Sequence, residues 1–160
     1  MRRVAAALIV LSALVLSGCG FTPLYASGGA GGAVSRIAVA TPDDRFGYHL
    51  REQLEDALAW NRGAEPALYR LTTEIEQNRR PLGRRIDATA TRYELTVKAA
   101  WTLTPVNGGE PATGVETAVV TYAAADQPYA AIAAQQDGED RAAAELARLI
   151  RLSVLRVLAD

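Results

Sequence analysis

The run from Arg92 to Leu103 limits what this chain can become more than any other segment. Tyr93, Leu95, Val97, Ala99, Trp101 and Leu103 alternate with Arg92, Glu94, Thr96, Lys98, Ala100 and Thr102. Successive side chains leave a strand on opposite faces, so a period of two puts the apolar set on one side and the polar set on the other. Such a strand needs a core on one face only, as in an antiparallel sheet covered on one side. A second alternating run precedes it, with Tyr69, Leu71, Thr73 and Ile75 set against Arg70, Thr72, Glu74 and Glu76. Val34 to Ala40, with Ile37 and Val39 two apart, is a shorter strand candidate. Asn107-Gly108-Gly109 marks a turn into a fourth strand near Val115 to Ala123.

Two segments carry the helical period instead. Thr41-Pro42-Asp43-Asp44 offers a cap, a proline suited to the first turn and two carboxylates for the positive end of the helix dipole. Phe46, Leu50, Leu54 and Leu58 then recur at helical spacing, giving an amphipathic helix of about 18 residues that ends near Asn61-Arg62-Gly63. A second helix is expected from about Asp137 to Leu158, behind an earlier turn from Tyr129 that Gly138 breaks. Ala142, Leu146, Leu149, Ile150, Val154 and Val157 share one face of it, with Arg141, Glu145, Arg148, Arg151 and Arg156 opposite. Leu152 and Leu155 fall among those arginines, either as tolerated surface leucines or as a patch that meets a partner. The order β-α-β-β-β-α predicts an α+β two-layer sandwich, about four mostly antiparallel strands covered on one face by two helices.

The N-terminus obeys different constraints. Arg2 and Arg3 precede an apolar stretch from Val4 to Leu16, and Leu16-Ser17-Gly18-Cys19 closes it. That stretch reaches only about 20 Å as a helix, against a hydrocarbon core of about 30 Å. Residues 1–18 are therefore expected to be a cleaved signal peptide and not a membrane span. Leu-Ser-Gly-Cys at this distance from a positive start resembles the bacterial lipobox, which implies cleavage before Cys19 and lipidation of that cysteine. Several acyl chains anchor durably where one does not. Residues 19–33 are expected to form the lipidated start and a tether, since 26–33 are all alanine, serine and glycine. Residues 34–160 then form one domain.

Little in the chain points to covalent chemistry. The single cysteine is used by lipidation, which leaves no disulfide and no thiolate for a metal or a nucleophile. His49 sits at the margin of the first helix's apolar face, and Glu74 and Glu76 read as exposed strand charges. No HExxH, GxSxG, phosphate loop or GxGxxG occurs. The expectation is a non-enzymatic protein with no metal or cofactor. Loss of Arg2 and Arg3 takes the net charge from −1 to −3, which argues against nucleic-acid binding.

One cluster of charge is unusual. Arg79, Arg80, Arg84 and Arg85 crowd a segment read as the loop between the two long strands, and Arg92 continues the charge onto the next strand. Guanidinium forks pair bidentately with phosphates. The cluster is either a solvated hairpin loop or a contact for a phosphorylated ligand.

The segment Cys19-Gly20-Phe21-Thr22-Pro23-Leu24-Tyr25, and the stretch Ala88-Thr89-Ala90-Thr91-Arg92-Tyr93-Glu94-Leu95 that opens the long strand, resemble the LPS-assembly lipoprotein (LptE) family in its alphaproteobacterial form. The resemblance implies a non-enzymatic lipoprotein of the outer membrane, lipid-anchored on the periplasmic face. It implies a plug in the lumen of the LptD β-barrel, which it helps to assemble, and a part in delivering lipopolysaccharide to the cell surface. On that reading the arginines meet lipopolysaccharide phosphates. Gly20 beside Cys19, where an aspartate is associated with inner-membrane retention in enterobacteria, fits the outer-membrane address. The alternative is an accessory lipoprotein of an ABC-type lipid-transport system.

Overall fold

The computed structural model describes residues 30–60, 66–84 and 90–159. The elements follow the chain as α1 (Ala30–Val34), β1 (Ile37–Ala40), α2 (Arg45–Ala57), β2 (Tyr69–Arg84), β3 (Ala90–Pro105), β4 (Ala112–Ala123) and α3 (Pro128–Ala159). The strands form one sheet in the order β1-β2-β3-β4. β1 runs parallel to β2, with Ile37 beside Tyr69, because α2 carries the chain back to the starting edge. The other pairings are antiparallel: β2 and β3 run from Tyr69↔Pro105 to Arg84↔Ala90, and β3 and β4 from Arg92↔Ala123 to Leu103↔Ala112.

This is the expected α+β layering, with three helices in place of two. The added one, α1, lies in the segment read as tether, and Val34 belongs to it instead of to β1. Val34 is buried, in the same apolar cluster as α3 residues Val154 and Leu155.

The alternation in β3 does what its period requires. Leu95, Val97, Ala99, Trp101 and Leu103 are buried under the helices, joined across the sheet by Leu71 and Ala118. Trp101 fits because β4 carries glycine opposite it: a β-carbon on Gly114 would lie 2.4 Å from the indole. Phe46, Leu50, Leu54 and Leu58 close the core from α2, and Leu146, Ile150 and Val154 from α3. Ala142, Ala143 and Ala147 are also buried.

Helix ends differ from expectation for local reasons. α2 starts after Asp44, whose Oδ1 accepts from the Gly47 N–H at 2.7 Å, and not at Thr41. Only glycine fits at 47, since a β-carbon there would sit 2.2 Å from the Pro42 carbonyl oxygen. α2 also stops early, at 13 residues, because Ala59 turns into the left-handed region at φ 51°. The predicted stop at 61–63 lies outside the described residues. Gly138 does not break α3, which is continuous for 32 residues and about 48 Å long. Its missing side chain is filled by Tyr122, whose Cδ1 would be 2.8 Å from a β-carbon at 138.

The C-terminal face of α3 is also phased differently. Leu155 is 5% exposed and belongs to the core, which corrects its placement on the surface, whereas Leu152 is 43% exposed. Val157, expected inside, is exposed. The buried stripe is broadened here by contact with α1, which the sequence did not signal.

Candidate functional site

The arginine segment is strand and not loop. β2 continues through Arg84, and the turn to Ala90 lies outside the described residues. Pro81 is tolerated in it because β1 pairs only with Tyr69 to Thr72, so that β2 is an edge strand beyond that point. Gly83 takes φ +65°, and the Thr91 hydroxyl packs where its β-carbon would be.

Strand alternation then separates arginines that are neighbours in sequence. Arg79 lies opposite Leu95, in register with the helix-covered face, and Arg80 lies opposite Glu94, in register with the open face. Arg80 donates from Nε to Glu94 Oε1. That hydrogen bond, reinforced by the carboxylate's charge, raises the guanidinium's pKa above its ordinary value. Arg92 is exposed on the open face, across from Leu82 and Ala123. Arg84 pairs through its backbone with Ala90, and Arg85 lies outside the described residues, as does Cys19. Among the described side chains, Arg79 therefore lies in register with the face opposite to that of Arg80 and Arg92.

Arg79 enters a different setting. Its Nη1 donates to Gln135 Oε1 at 3.1 Å and to the Tyr122 hydroxyl at 3.5 Å, and its guanidinium lies 5.0 Å from the centroid of Tyr93. The Tyr122 hydrogen bond is the chief cause of its raised pKa. Tyr93 and Tyr122 stack at 5.6 Å with a 31° tilt. Gln135 Nε2 in turn donates to Glu139 Oε1 at 2.7 Å, and Glu139 Oε2 meets Arg45 Nη2 at 3.2 Å. Glu139 is only 8% exposed, so this chain of contacts satisfies a carboxylate that burial would otherwise penalise. It ties β2, α3 and α2 together at one end of the layer.

Beside Arg79 lies a cleft of about 290 Å³, lined by Arg79, Tyr93, Tyr122, Asp126, Ile132 and Gln135 among others. Sequence reading placed Tyr93 in the core and gave Tyr122, Ile132 and Gln135 no role. The available signal was the cross-strand register that sets Tyr93 against Tyr122, which a single sequence does not reveal.

The remaining candidates are structural. His49 Nδ1 lies 3.3 Å from Asp140 Oδ1, joining α2 to α3. Glu74 and Glu76 are exposed. Among the described residues no group of three His, Cys, Asp or Glu side chains is placed to hold a metal, and no helix is long and apolar enough to cross a membrane.

Comparison with known proteins fits this architecture. No curated protein matches the chain. A crystallised candidate lipoprotein of Caulobacter crescentus is 46% identical, covering 81% of this chain and 95% of that one with a TM-score of 0.69. A lipoprotein B of Nitrosomonas europaea is 16% identical, covering 78% of this chain and 82% of that one with a TM-score of 0.50. Rare lipoprotein B of Shewanella oneidensis is 17% identical, covering 77% and 92% with a TM-score of 0.47. The family model for lipopolysaccharide assembly matches residues 34–154. The chain belongs to the LptE lipopolysaccharide-assembly family.

Proposed function

We propose that the chain is an outer-membrane lipoprotein, anchored through lipid on Cys19 at the periplasmic face, that plugs an LptD-type β-barrel, helps it assemble and assists lipopolysaccharide delivery. The observation that carries this reading is the family match across nearly the whole folded domain, residues 34–154. The physical character of the domain supports it. A barrel lumen is polar and wet, so its occupant needs a closed core of its own and a polar exterior. Here the core closes on the helix-covered face, while the open face of the sheet presents threonine, glutamate, lysine and arginine on β2 and β3, with Val115 and Val119 exposed between threonines on β4.

The arginine-bearing end of β2 and β3 is the part of the domain suited to phosphorylated lipid, through Arg79 and Arg92, with Arg84 and Arg85 as candidates from the sequence alone. Arg80 contributes less, because Glu94 already pairs with it. Leu152 remains a candidate partner contact, and Leu155 does not. The test is a membrane pull-down of the full-length tagged chain in mild detergent, with mass spectrometry of what stays bound. One large β-barrel in near-equal amount is the expected result. Recovery of transporter subunits, or of no partner, overturns the reading.

A further inference from the structure

The two edges of the sheet are finished differently. On the β2 side, β1 covers the strand's first residues, and past Thr72 the edge carries Glu76, Arg80 and Pro81, all exposed. Charge and proline are how proteins blunt an edge against the addition of another strand. β4 forms the opposite edge, and its twelve residues include no proline and a single charge, Glu116. That charge is turned toward α3, where Glu116 Oε1 accepts from the Ser153 hydroxyl.

The ladder fixes which backbone groups β4 aims away from the sheet. The Ala124 N–H donates to the Thr91 carbonyl, in the same register that sets Tyr93 against Tyr122. Hydrogen-bonded pairs recur at every second residue, so the even-numbered residues of β4 spend their backbone groups on β3. Thr113, Val115, Thr117, Val119 and Thr121 point theirs outward. The Thr121 carbonyl accepts from Arg141 Nη2 at 3.2 Å, which closes that end of the edge. Side chains of the same five residues are exposed on the open face and read Thr-Val-Thr-Val-Thr, β-branched throughout and uncharged.

That series is the same from either end, with Thr117 at its centre. A second copy laid antiparallel along it, about a two-fold axis at Thr117, sets Val115 against the other copy's Val119 and Thr117 against itself. The outward N–H and C=O groups then match, and no like charges on the open face are opposed. α3 supports the same occupant. Arg141 and Ser153 both reach β4, so this flank of the helix runs along the edge. Leu152 follows Arg141 by a net rotation of about 20° and is 43% exposed beside Ser153, where α3 of a second copy would cover it.

We propose that β4 is a self-pairing edge, through which two copies of this chain join their four-stranded sheets into one, antiparallel about Thr117. The proposal concerns the chain by itself and does not rest on the barrel reading.

The test is sedimentation of the full-length chain in mild detergent, over a concentration series with micelles in excess, for the parent and for variants of the exposed Thr117. A concentration-dependent dimer is expected. Thr117→Lys and Thr117→Glu each place like charges face to face across the axis and should each weaken it by about fivefold or more. An equal mixture of the two variants should recover it. Glu76→Lys, at the opposite edge, should stay within about twofold. In the parent, the Thr117 and Val119 amides should exchange more slowly as concentration rises, while those of Ala118 and Val120, already bonded to β3, should not respond.

A parent chain that stays monomeric over the series overturns the proposal. So does a dimer whose Thr117 and Val119 amides are indifferent to concentration, which would place the contact elsewhere. A dimer that Thr117→Lys leaves intact, or a mixture of the two variants that associates no better than each alone, overturns the axis at Thr117 and the proposal with it.

Discussion

The two ends of the helix-covered layer are built from different materials. At the end where β1 pairs with β2, the layer is filled by Ile37, Leu71, Leu103, Ile150 and Val154, each wholly or almost wholly buried. At the other end the same strand faces carry Arg79, Tyr93 and Tyr122, and α3 answers them with Gln135 and Glu139 instead of leucine. The first end buries apolar area, which stabilises the fold at about 25 cal/mol per Å². The second satisfies polar groups with one another, for a net gain of about 1 kcal/mol per hydrogen bond, and leaves a cleft open. One end is a dry apolar core and the other a polar cluster beside a cleft.

The largest predicted effect tests the apolar end. Leu146→Ala should cost about 2–5 kcal/mol in urea denaturation, the range for deleting a fully buried leucine. Leu155→Asp should be of similar size, about 3 kcal/mol or more, because it buries a charge. Leu152→Asp, three residues earlier, should be nearly neutral. Equal effects of the two aspartates would mean that α3 turns a different face to the core, with Leu152 and Leu155 equally placed.

Gly138→Ala comes next. A helix gains from alanine, by about 1 kcal/mol, but the new methyl would press on Tyr122 at 2.8 Å. Overpacking of this kind costs about 1–3 kcal/mol, so a net loss near 1 kcal/mol is expected. A stabilised variant would show that the tyrosine pair is loosely seated. Arg79→Gln should lower stability by about 1 kcal/mol or less, since its contacts are at the surface. That small cost beside the loss from Leu146→Ala would sharpen the contrast between the ends.

The smallest effect is electrostatic. The Arg148 hydrogen bond, reinforced by its charge, holds the Glu145 carboxyl below its ordinary range. A depressed carboxyl contributes stability above the unfolded chain's pKa and loses it as pH falls through the folded value. The pair is exposed at i,i+3, so Glu145→Gln should lower the denaturation midpoint only slightly at neutral pH, with variant and parent converging as the pH falls into acid.

Legibility in the sequence follows the same division. The one-sided strands were readable because alternation along β3 is a local pattern, and so were the leucines of α2. Residues whose roles depend on what packs across from them were not. Gly138 reads as a helix breaker until Tyr122 is placed on it, and Leu155 reads as exposed until α1 joins the buried stripe of α3. Arg79 and Arg80 look equivalent in a charged run, yet strand pairing past Pro81 turns one toward the helix layer and the other to Glu94. The cleft combines β2, β3, β4 and α3, so no window of sequence contains it.

The division between the two ends is tested most directly by amide hydrogen exchange on the full-length chain. The β3 amides from Val97 to Leu103 are expected to open only with global unfolding, while those from Thr91 to Tyr93 open locally and at lower free energy. Uniform protection along β3 would contradict that division.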